Sequence, residues 1–158
     1  MSDAPTKPIP EGYHTVNTMV TMRDTRRAIA FYERAFGAVR TFLMERPDGG
    51  VAHATIRIGD STIMFGDESP DERCRSAESL GGSPIAFYLY VEDVDALFDR
   101  ATGAGATVRM PLADMFWGDR IGTVEDPFGL TWTIATHVKD PTEDDLARGA
   151  EQMFAQSG

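Results

Sequence analysis

Two stretches of the chain repeat the same order of hydrophobic and polar positions. Each begins with a short apolar strand that ends at an aspartate, Asp24 in the first copy and Asp93 in the second. A helical segment follows with apolar residues three or four positions apart, and a Gly-Ala pair beginning at Gly37 or Gly105 ends it. Aspartate can accept hydrogen bonds from the free amides of a first helical turn, and glycine tolerates the left-handed conformation that ends helices. The pattern therefore predicts a repeated strand–helix unit.

Three strand-like runs follow each predicted helix, separated by turns rich in Gly, Pro and Asp. They cover residues 40–45, 51–58, 61–66, 107–110, 120–126 and 131–137. Asp126-Pro127-Phe128-Gly129 is a turn between the last two, because proline presets φ and glycine can take a positive φ. The predicted fold class is α+β, with two tandem βαβββ modules. Their sheets are expected to form a curved, cup-shaped mixed sheet around a cavity, a common place for small-molecule sites.

Three segments lie outside the repeated units: one before the first copy, one between the copies and one after the second. The segment after the repeat begins with an acidic capping sequence at Thr142 and continues with an apolar helical stripe. The segment between the copies is rich in Ser, Gly and charged residues, which is typical of a linker. The predicted boundaries are a flexible N-terminal arm (1–12), a single domain (13–138) of two modules (13–66 and 84–138) with a linker (67–83), and a C-terminal helical tail (139–158).

The charge of the chain limits its partners. Its 158 residues carry a formal net charge of −10, and nucleic acids and anionic membranes repel an acidic surface. The single cysteine, Cys74, excludes an internal disulfide and fits a reducing compartment. Neither a signal peptide nor a long apolar span is evident. We therefore expect a cytoplasmic protein whose partner is a small organic molecule.

Three segments resemble the glyoxalase/bleomycin-resistance/dioxygenase (vicinal oxygen chelate) superfamily. They are the first strand and helix with Asp24 and Phe36-Gly37-Ala38, the second strand at residues 87–95, and the closing hairpin at residues 114–132. Their order and spacing over residues 13–138 are similar to those of uncharacterised bacterial glyoxalase-like proteins. The resemblance implies the tandem βαβββ fold and a homodimer, because related proteins often build their pockets at a two-fold interface.

The resemblance also implies four inward-facing metal ligands, two from each module and usually His or Glu. The corresponding positions of this chain are Asn17, Met64, Ala86 and Thr133. These four residues offer no carboxylate or imidazole, which a divalent metal site of this kind requires. We therefore expect neither a metal in the inherited site nor another cofactor.

Histidines elsewhere leave a relocated metal site open. The chain contains three, His14, His53 and His137. His14 lies out of register with the first ligand position, His53 lies in a strand of the first module, and His137 ends the last strand. A histidine at a strand end is more often solvated or hydrogen-bonded than a ligand.

Aromatic residues near the inherited positions suit a flat organic ligand, through stacking and edge contacts with a few polar groups. Tyr88 and Tyr90 share the strand face of Ala86, and Trp117 lies near the closing hairpin. The alternative is that these aromatic residues fill the core, which the pattern favours for Phe87 and Trp132. The candidate ligand-binding residues are Asn17, Met64, Ala86, Tyr88, Tyr90, Trp117, Arg120 and Thr133.

A charged group surrounds Arg120, with Asp114, Asp119 and Asp126 close in sequence. Arg120 could form a structural ion pair that pins a loop, or it could bind a ligand carboxylate or phosphate through two donors. His53 could act as a general base beside an aspartate. The candidates for catalysis are therefore His53, Asp114 and Arg120.

Three classes of function remain open, and the sequence does not decide whether the protein is an enzyme. The favoured class is a metal-free binder that sequesters an aromatic or cationic compound, as bleomycin-resistance-like proteins do. The second is a glyoxalase-type lyase, isomerase or cyclase that uses a relocated metal or acid–base catalysis. The third is a non-catalytic structural or regulatory module. The superfamily hosts many chemistries, so its fold alone does not identify the ligand.

Overall fold

The computed structural model describes residues 5–71 and 73–156, which fall into two compact units divided between Gly82 and Ser83. Residues 1–4 of the predicted arm, residue 72 of the predicted linker and residues 157–158 of the predicted tail lie outside the described residues.

The first unit is a four-stranded mixed sheet with one long helix and one short one. Strand β1 is parallel to β4, and the other neighbours are antiparallel, in the order β1-β4-β3-β2. The elements are β1 (Thr18–Met22), α1 (Thr25–Phe36), β2 (Val39–Glu45), β3 (Val51–Ile58), β4 (Ser61–Asp67) and α2 (Ala77–Leu80). The short helix α2 lies in the stretch that was predicted to be a linker.

The second unit repeats this topology. Its strands follow the order β5-β8-β7-β6, and β5 is parallel to β8. The elements are β5 (Ala86–Tyr90), α3 (Val94–Ala104), β6 (Thr107–Asp114), β7 (Asp119–Glu125), β8 (Thr131–His137) and α4 (Glu143–Ala155). Strand β6 is longer than the predicted run of residues 107–110, because it continues past a register shift to pair with β7 as far as Asp114. The α+β class and the two tandem βαβββ modules are confirmed, and the joint cup stays a prediction.

Local capping explains where the helices begin and end. Asp24 accepts a hydrogen bond from the Arg27 amide, and Asp93 accepts one from the Ala96 amide. Gly105 ends α3 with φ of 118°, a left-handed conformation that favours glycine. At α4, Thr142 and Asp145 exchange side-chain and backbone hydrogen bonds in a capping box. No helix in the described part of the chain is long and apolar enough to cross a membrane.

Each sheet has one face covered by the long helix of its own module. In β4, Ile63 and Phe65 are buried on that face, whereas Met64 between them points to the other side and is half-buried. In β8, Trp132 and Ile134 are buried in the same way. Because strand side chains alternate between faces, the intervening residues lie on the opposite side of each sheet. We call that side the open face of the sheet.

Asp126 organises the turn that joins β7 to β8. It is buried, and its Oδ1 accepts hydrogen bonds from the amides of Phe128 and Leu130, both at 2.9 Å. Its Oδ2 accepts the indole N–H of Trp132 at 2.9 Å, and the Trp132 ring stacks on Phe87 at a centroid distance of 4.3 Å. Asp126 and Trp132 therefore stabilise the fold. This agrees with the interpretation that Trp132 fills the core.

Replacing Asp126 with Ala is expected to lower the free energy of unfolding by about 3 kcal/mol, because three buried donors lose their acceptor. Urea unfolding followed by circular dichroism measures this loss. Asp99→Ala is the control, because Asp99 is exposed on α3 and its loss should cost no more than about 0.5 kcal/mol. Equal stabilities of the two variants would contradict the role assigned to Asp126.

Candidate functional site

Two tyrosine rings stand exposed on the open face of the second sheet. Strand β5 pairs with β8 so that Tyr88 lies beside Thr133 and Tyr90 beside Ala135. Tyr88 is 48% exposed and Tyr90 61% exposed, and their ring centroids are 5.1 Å apart. Apolar rings of this size are usually more buried, so the pair marks a surface that is available for binding.

Both tyrosine hydroxyls donate to the same carboxylate oxygen. Tyr88 and Tyr90 reach Oδ2 of Asp119 at 2.9 Å and 2.8 Å. Asp119 is the first residue of β7 and only 3% exposed. A buried carboxylate requires such donors, because a carboxylate without partners would be costly to remove from water. The two hydroxyls are thereby fixed, and with them the position of each ring.

His137 provides the third donor to Asp119. Its Nδ1 lies 2.7 Å from Oδ1 of Asp119, and its Nε2 lies 2.8 Å from Oδ1 of Asp140. An ionised carboxylate can accept hydrogen bonds but cannot donate them, so the two contacts together favour the charged form of the ring, in which both nitrogens donate. Asp140 and Asp119, in that order, raise the pKa of His137 above its ordinary value.

The carboxylate at the centre stays ionised. Burial would raise the pKa of Asp119, but the hydrogen bonds from His137, Tyr90 and Tyr88 together outweigh burial and lower it. The phenol groups respond in the opposite sense. Burial, followed by the hydrogen bond to Asp119, raises the pKa of Tyr88 to about 12, and the bond to Asp119 is the largest cause of the raised pKa of Tyr90. Both tyrosines therefore remain protonated donors at neutral pH.

Trp117 adjoins this group from the turn before β7. Its side chain opposes part of the rise in the pKa of Tyr88. Its ring is half-buried and meets Phe116 edge-on, with centroids 5.1 Å apart. We call Tyr88, Tyr90, Trp117, Asp119 and His137 the tyrosine cluster.

A shallow, open depression of about 510 Å³ lies at one edge of the tyrosine cluster. Its lining residues are Tyr90, Val91, Glu92, Thr136 and His137. The cluster thus combines exposed aromatic surface, an ionised carboxylate beneath it and space at its edge, which are features of small-molecule sites.

The first module has no counterpart of this cluster. Val51 begins β3 as Asp119 begins β7, and it is 1% exposed. Met19 pairs with Met64 where Tyr88 pairs with Thr133 in the second module. The same topology is therefore built with apolar residues at these positions, so the fold itself does not require a buried carboxylate there.

Arg120 lies on the helix-covered face, on the opposite side of β7 from Asp119. Its Nε and its second terminal nitrogen each lie 2.8 Å from an oxygen of Asp95 on α3, and a third contact reaches Asp114 at 3.1 Å. These contacts raise the pKa of Arg120 and lower that of Asp95. The placement fits the interpretation of Arg120 as part of an ion pair that joins helix and sheet, and it keeps Arg120 and Asp114 apart from the tyrosine cluster.

Four residues stand at the positions where the resemblance predicts metal ligands. Asn17 lies just before β1, where its side-chain amide exchanges hydrogen bonds with the backbone of His14. Met64, Ala86 and Thr133 offer a thioether, a methyl group and a hydroxyl. This donor set lacks the charged or imidazole groups that a divalent metal prefers. Among residues 5–71 and 73–156, no three His, Cys, Asp or Glu side chains are grouped so that they could hold a metal.

Two further candidate residues are not part of the tyrosine cluster: His53 lies in the first module, and Thr133 lies on the open face of the second sheet. His53 lies on β3, and its ring centroid is 6.1 Å from that of Phe42. Thr133 lies on the same face as Tyr88, and its hydroxyl is 3.2 Å from that of Thr123. The structure therefore brings together Ala86, Tyr88, Tyr90, Trp117 and Thr133 in the second module, and places Asn17, His53 and Met64 in the first.

Sequence reasoning missed the central position of Asp119 and the part played by Asp140. A signal for Asp119 was present, because antiparallel pairing outward from the Asp126 turn places Asp119 opposite His137. The contact of Asp119 with Tyr88 and Tyr90 depends on the register in which β5 pairs with β8. The alternation of apolar and polar residues does not determine that register.

The sequence is similar to a known protein family and to individual proteins. The sequence model of the family described as "Glyoxalase/Bleomycin resistance protein/Dioxygenase superfamily" matches residues 14–134. An uncharacterized protein of Mycobacterium tuberculosis strain H37Rv, Rv0887c, is 43% identical over 126 residues, which cover 78% of this chain and 74% of that protein.

Solved structures show the same similarity in three dimensions. TioX from Micromonospora sp. ML1 is 28% identical with a TM-score of 0.58, over 78% of this chain and 99% of TioX. The Arabidopsis thaliana gene product At5g48480 is also 28% identical, with a TM-score of 0.62 over 78% of this chain and 98% of that one.

The tyrosine titration of the protein should contain one group with a pKa of about 12, assigned to Tyr88 by its absence in Tyr88→Phe. In Asp119→Asn the pKa of Tyr88 is expected to fall, yet to stay above about 10, because burial is the largest cause of its shift. Ultraviolet absorbance of the phenolate during an alkaline titration measures both values. A Tyr88 pKa near the ordinary value of about 10 in the unmodified protein would rule out the hydrogen bond to Asp119.

Proposed function

Since the chain belongs to the Glyoxalase/Bleomycin resistance protein/Dioxygenase superfamily, we propose that it binds a small organic molecule without the metal site usual in that superfamily. The site is the tyrosine cluster, and the ligand is an aromatic or cationic compound that the protein sequesters. A homodimer in the cytoplasm stays a prediction.

One observation carries this proposal: two exposed tyrosine rings are fixed by one buried carboxylate. Exposed tyrosines usually retain rotamer freedom, which is lost when a ligand binds and reduces the affinity. Here the hydrogen bonds to Asp119 hold Tyr88 and Tyr90 before any ligand arrives. A ring system that stacks on them therefore binds to side chains whose conformational entropy was already lost on folding, so this loss does not reduce the affinity.

The charge around the rings favours a cation. The face of an aromatic ring is electronegative and attracts ammonium and aromatic cations. The chain carries a net charge of −10. Its field raises the local concentration of cationic ligands and repels anions. A cationic aromatic compound would gain from both the stacking surface and the field.

The difference between the two modules supports a functional role for the cluster. A buried carboxylate costs free energy of solvation even when it is hydrogen-bonded, and an apolar residue at the same place avoids that cost. The first module has buried Val51 at the position of Asp119 and reaches the same topology. The polar network of the second module is therefore not explained by the needs of the fold.

Acid–base catalysis, the principal alternative, suits the cluster less well. A general acid or base works best when its pKa lies near the operating pH. Tyr88 has a pKa of about 12, and the pKa of Asp119 lies below its ordinary value. His137 is held between two carboxylates that favour its charged form. Tyr88 and Asp119 are therefore not poised to exchange a proton with a substrate at neutral pH, and both nitrogens of His137 are occupied by carboxylate contacts.

The test uses N-methylacridinium, a flat aromatic cation, and its neutral parent acridine as probes in isothermal titration calorimetry. N-methylacridinium is expected to bind more tightly than acridine at neutral pH. Replacing both Tyr88 and Tyr90 with Leu should weaken its binding about tenfold, because two cation–π contacts are lost. A chelator should leave the affinity unchanged, because no metal takes part.

Phe42→Leu is the matched control. Phe42 is 51% exposed on β2 of the first module, so this variant loses an equally exposed ring outside the cluster. It should bind the probe like the unmodified protein. Loss of binding with the chelator, or equal loss in the control and the double variant, would overturn the proposed site.

A further inference from the structure

We propose that His137 is a proton-operated clasp: in its charged form it joins the C-terminal segment to the tyrosine cluster and holds the site in its binding form. The C-terminal segment is residues 138–155, which include α4. This regulation rests on the proposed function, since it governs the same site. It predicts that the site loosens as the pH rises.

The His137 ring lies between two carboxylates, one on β7 and one three residues further along the chain. Asp119 lies on β7 and holds the two tyrosines. Asp140 lies in the connection between β8 and α4, three residues before the first residue of that helix. His137 contacts the first at 2.7 Å and the second at 2.8 Å. The ring therefore bridges the cluster and the start of the C-terminal segment.

The same segment also supports Trp117. The amides of Val138 and Lys139 both donate to the carbonyl oxygen of Gly118, at 2.9 Å and 3.1 Å. Further along, Gly149 lies so close to Phe116 that an added Cβ would collide with the ring. Phe116 in turn meets Trp117 edge-on. A shift of the C-terminal segment would therefore be transmitted to Trp117, which belongs to the tyrosine cluster.

The groups that face His137 favour its charged form. From β7 comes Asp119, and from the connection before α4 comes Asp140. Tyr90 on β5 and Glu92, which follows β5, line the same depression as the ring. The neighbouring cation, Lys139, is directed to Asp145 at 3.8 Å. Two carboxylates thus contact the imidazole and a third lines the same depression, whereas the lysine charge is paired with Asp145.

Loss of one proton breaks one of the two contacts, and burial decides which. A neutral imidazole keeps a single N–H and turns a lone pair toward the other carboxylate. The Asp119 side chain is 4% exposed, whereas that of Asp140 is fully exposed and can be hydrated instead. An unpaired buried carboxylate costs far more than a hydrated one. The proton therefore stays on Nδ1 with Asp119, and Asp140 is released.

The sign of the pH effect follows from the direction of the His137 shift. Its pKa is raised in the folded protein by Asp140 and Asp119. A group whose folded pKa is raised contributes stability that is fully present below the unfolded value of about 6.5 and is lost as the pH rises through the folded value. The clasp is therefore closed in mildly acidic solution and opens above the folded pKa of His137.

The experiment follows three quantities in the full chain from about pH 6 to 9, the range in which a raised histidine pKa would lie. Nuclear magnetic resonance gives the titration of the His137 ring, identified by its absence in His137→Gln. Hydrogen exchange, corrected for its intrinsic pH dependence, gives the protection of residues 143–155. Calorimetry gives the affinity for N-methylacridinium.

Protection of residues 143–155 is expected to fall about threefold as His137 loses its proton, a size typical of an exposed ion pair. Affinity for the probe should fall over the same interval, because the loosening of the site outweighs the loss of the repulsive charge on His137. In Asp140→Ala both should be low throughout, and the pKa of His137 should be lower than in the unmodified protein. Glu151→Ala, an exposed position on α4, should behave like the unmodified protein.

The two proposals fail in distinguishable ways. If protection follows the titration of His137 but no probe binds at any pH, the clasp stands and the proposed function is wrong. If the probe binds with an affinity and a protection that do not change across the His137 titration, the proposed function stands and the clasp is overturned. A change of equal size in Asp140→Ala and the unmodified protein would also overturn it.

Discussion

A carboxylate that is almost fully removed from water has to be compensated by hydrogen-bond donors, and Asp119 obtains them from three side chains on two strands. Tyr88 and Tyr90 come from β5, and His137 comes from the end of β8. The three strands on which these residues lie are neighbours in one sheet, so the contacts depend on the strand order of the second module. Satisfying one buried charge thereby fixes two rings on an otherwise exposed surface.

The two faces of the second sheet carry different kinds of interaction. On the helix-covered face, Arg120 pairs with Asp95, and Trp132 packs against Phe87, so charge and apolar area both serve to join helix and sheet. On the open face, aromatic area remains exposed above Asp119. This division supports the proposal that the open face binds a ligand, because its aromatic area is not used to complete a core.

Much of the fold could be predicted from residues that are close in sequence, whereas the contacts of the candidate site could not. The helix caps at Asp24 and Asp93, and the turn at Asp126, act within a few residues and were predictable from spacing. Tyr88 and Tyr90 were placed on one face by alternation alone. Their common partner was not predictable, because Asp119 reaches them only through the register of two further strand pairs. Arg120 was singled out as a charged group, but its partner Asp95 lies on a helix whose packing the pattern does not specify.

The central claim is that ligands bind on the open face of the second sheet, and methionine methyl resonances locate binding most directly. Met110 and Met115 belong to the second module, whereas Met19 and Met64 lie on the open face of the first. With methyl-labelled methionine and ring-labelled tyrosine, N-methylacridinium should shift the Tyr88 and Tyr90 rings together with the second-module methyl groups. Shifts confined to Met19 and Met64, with the Tyr88 and Tyr90 rings unchanged, would contradict the account.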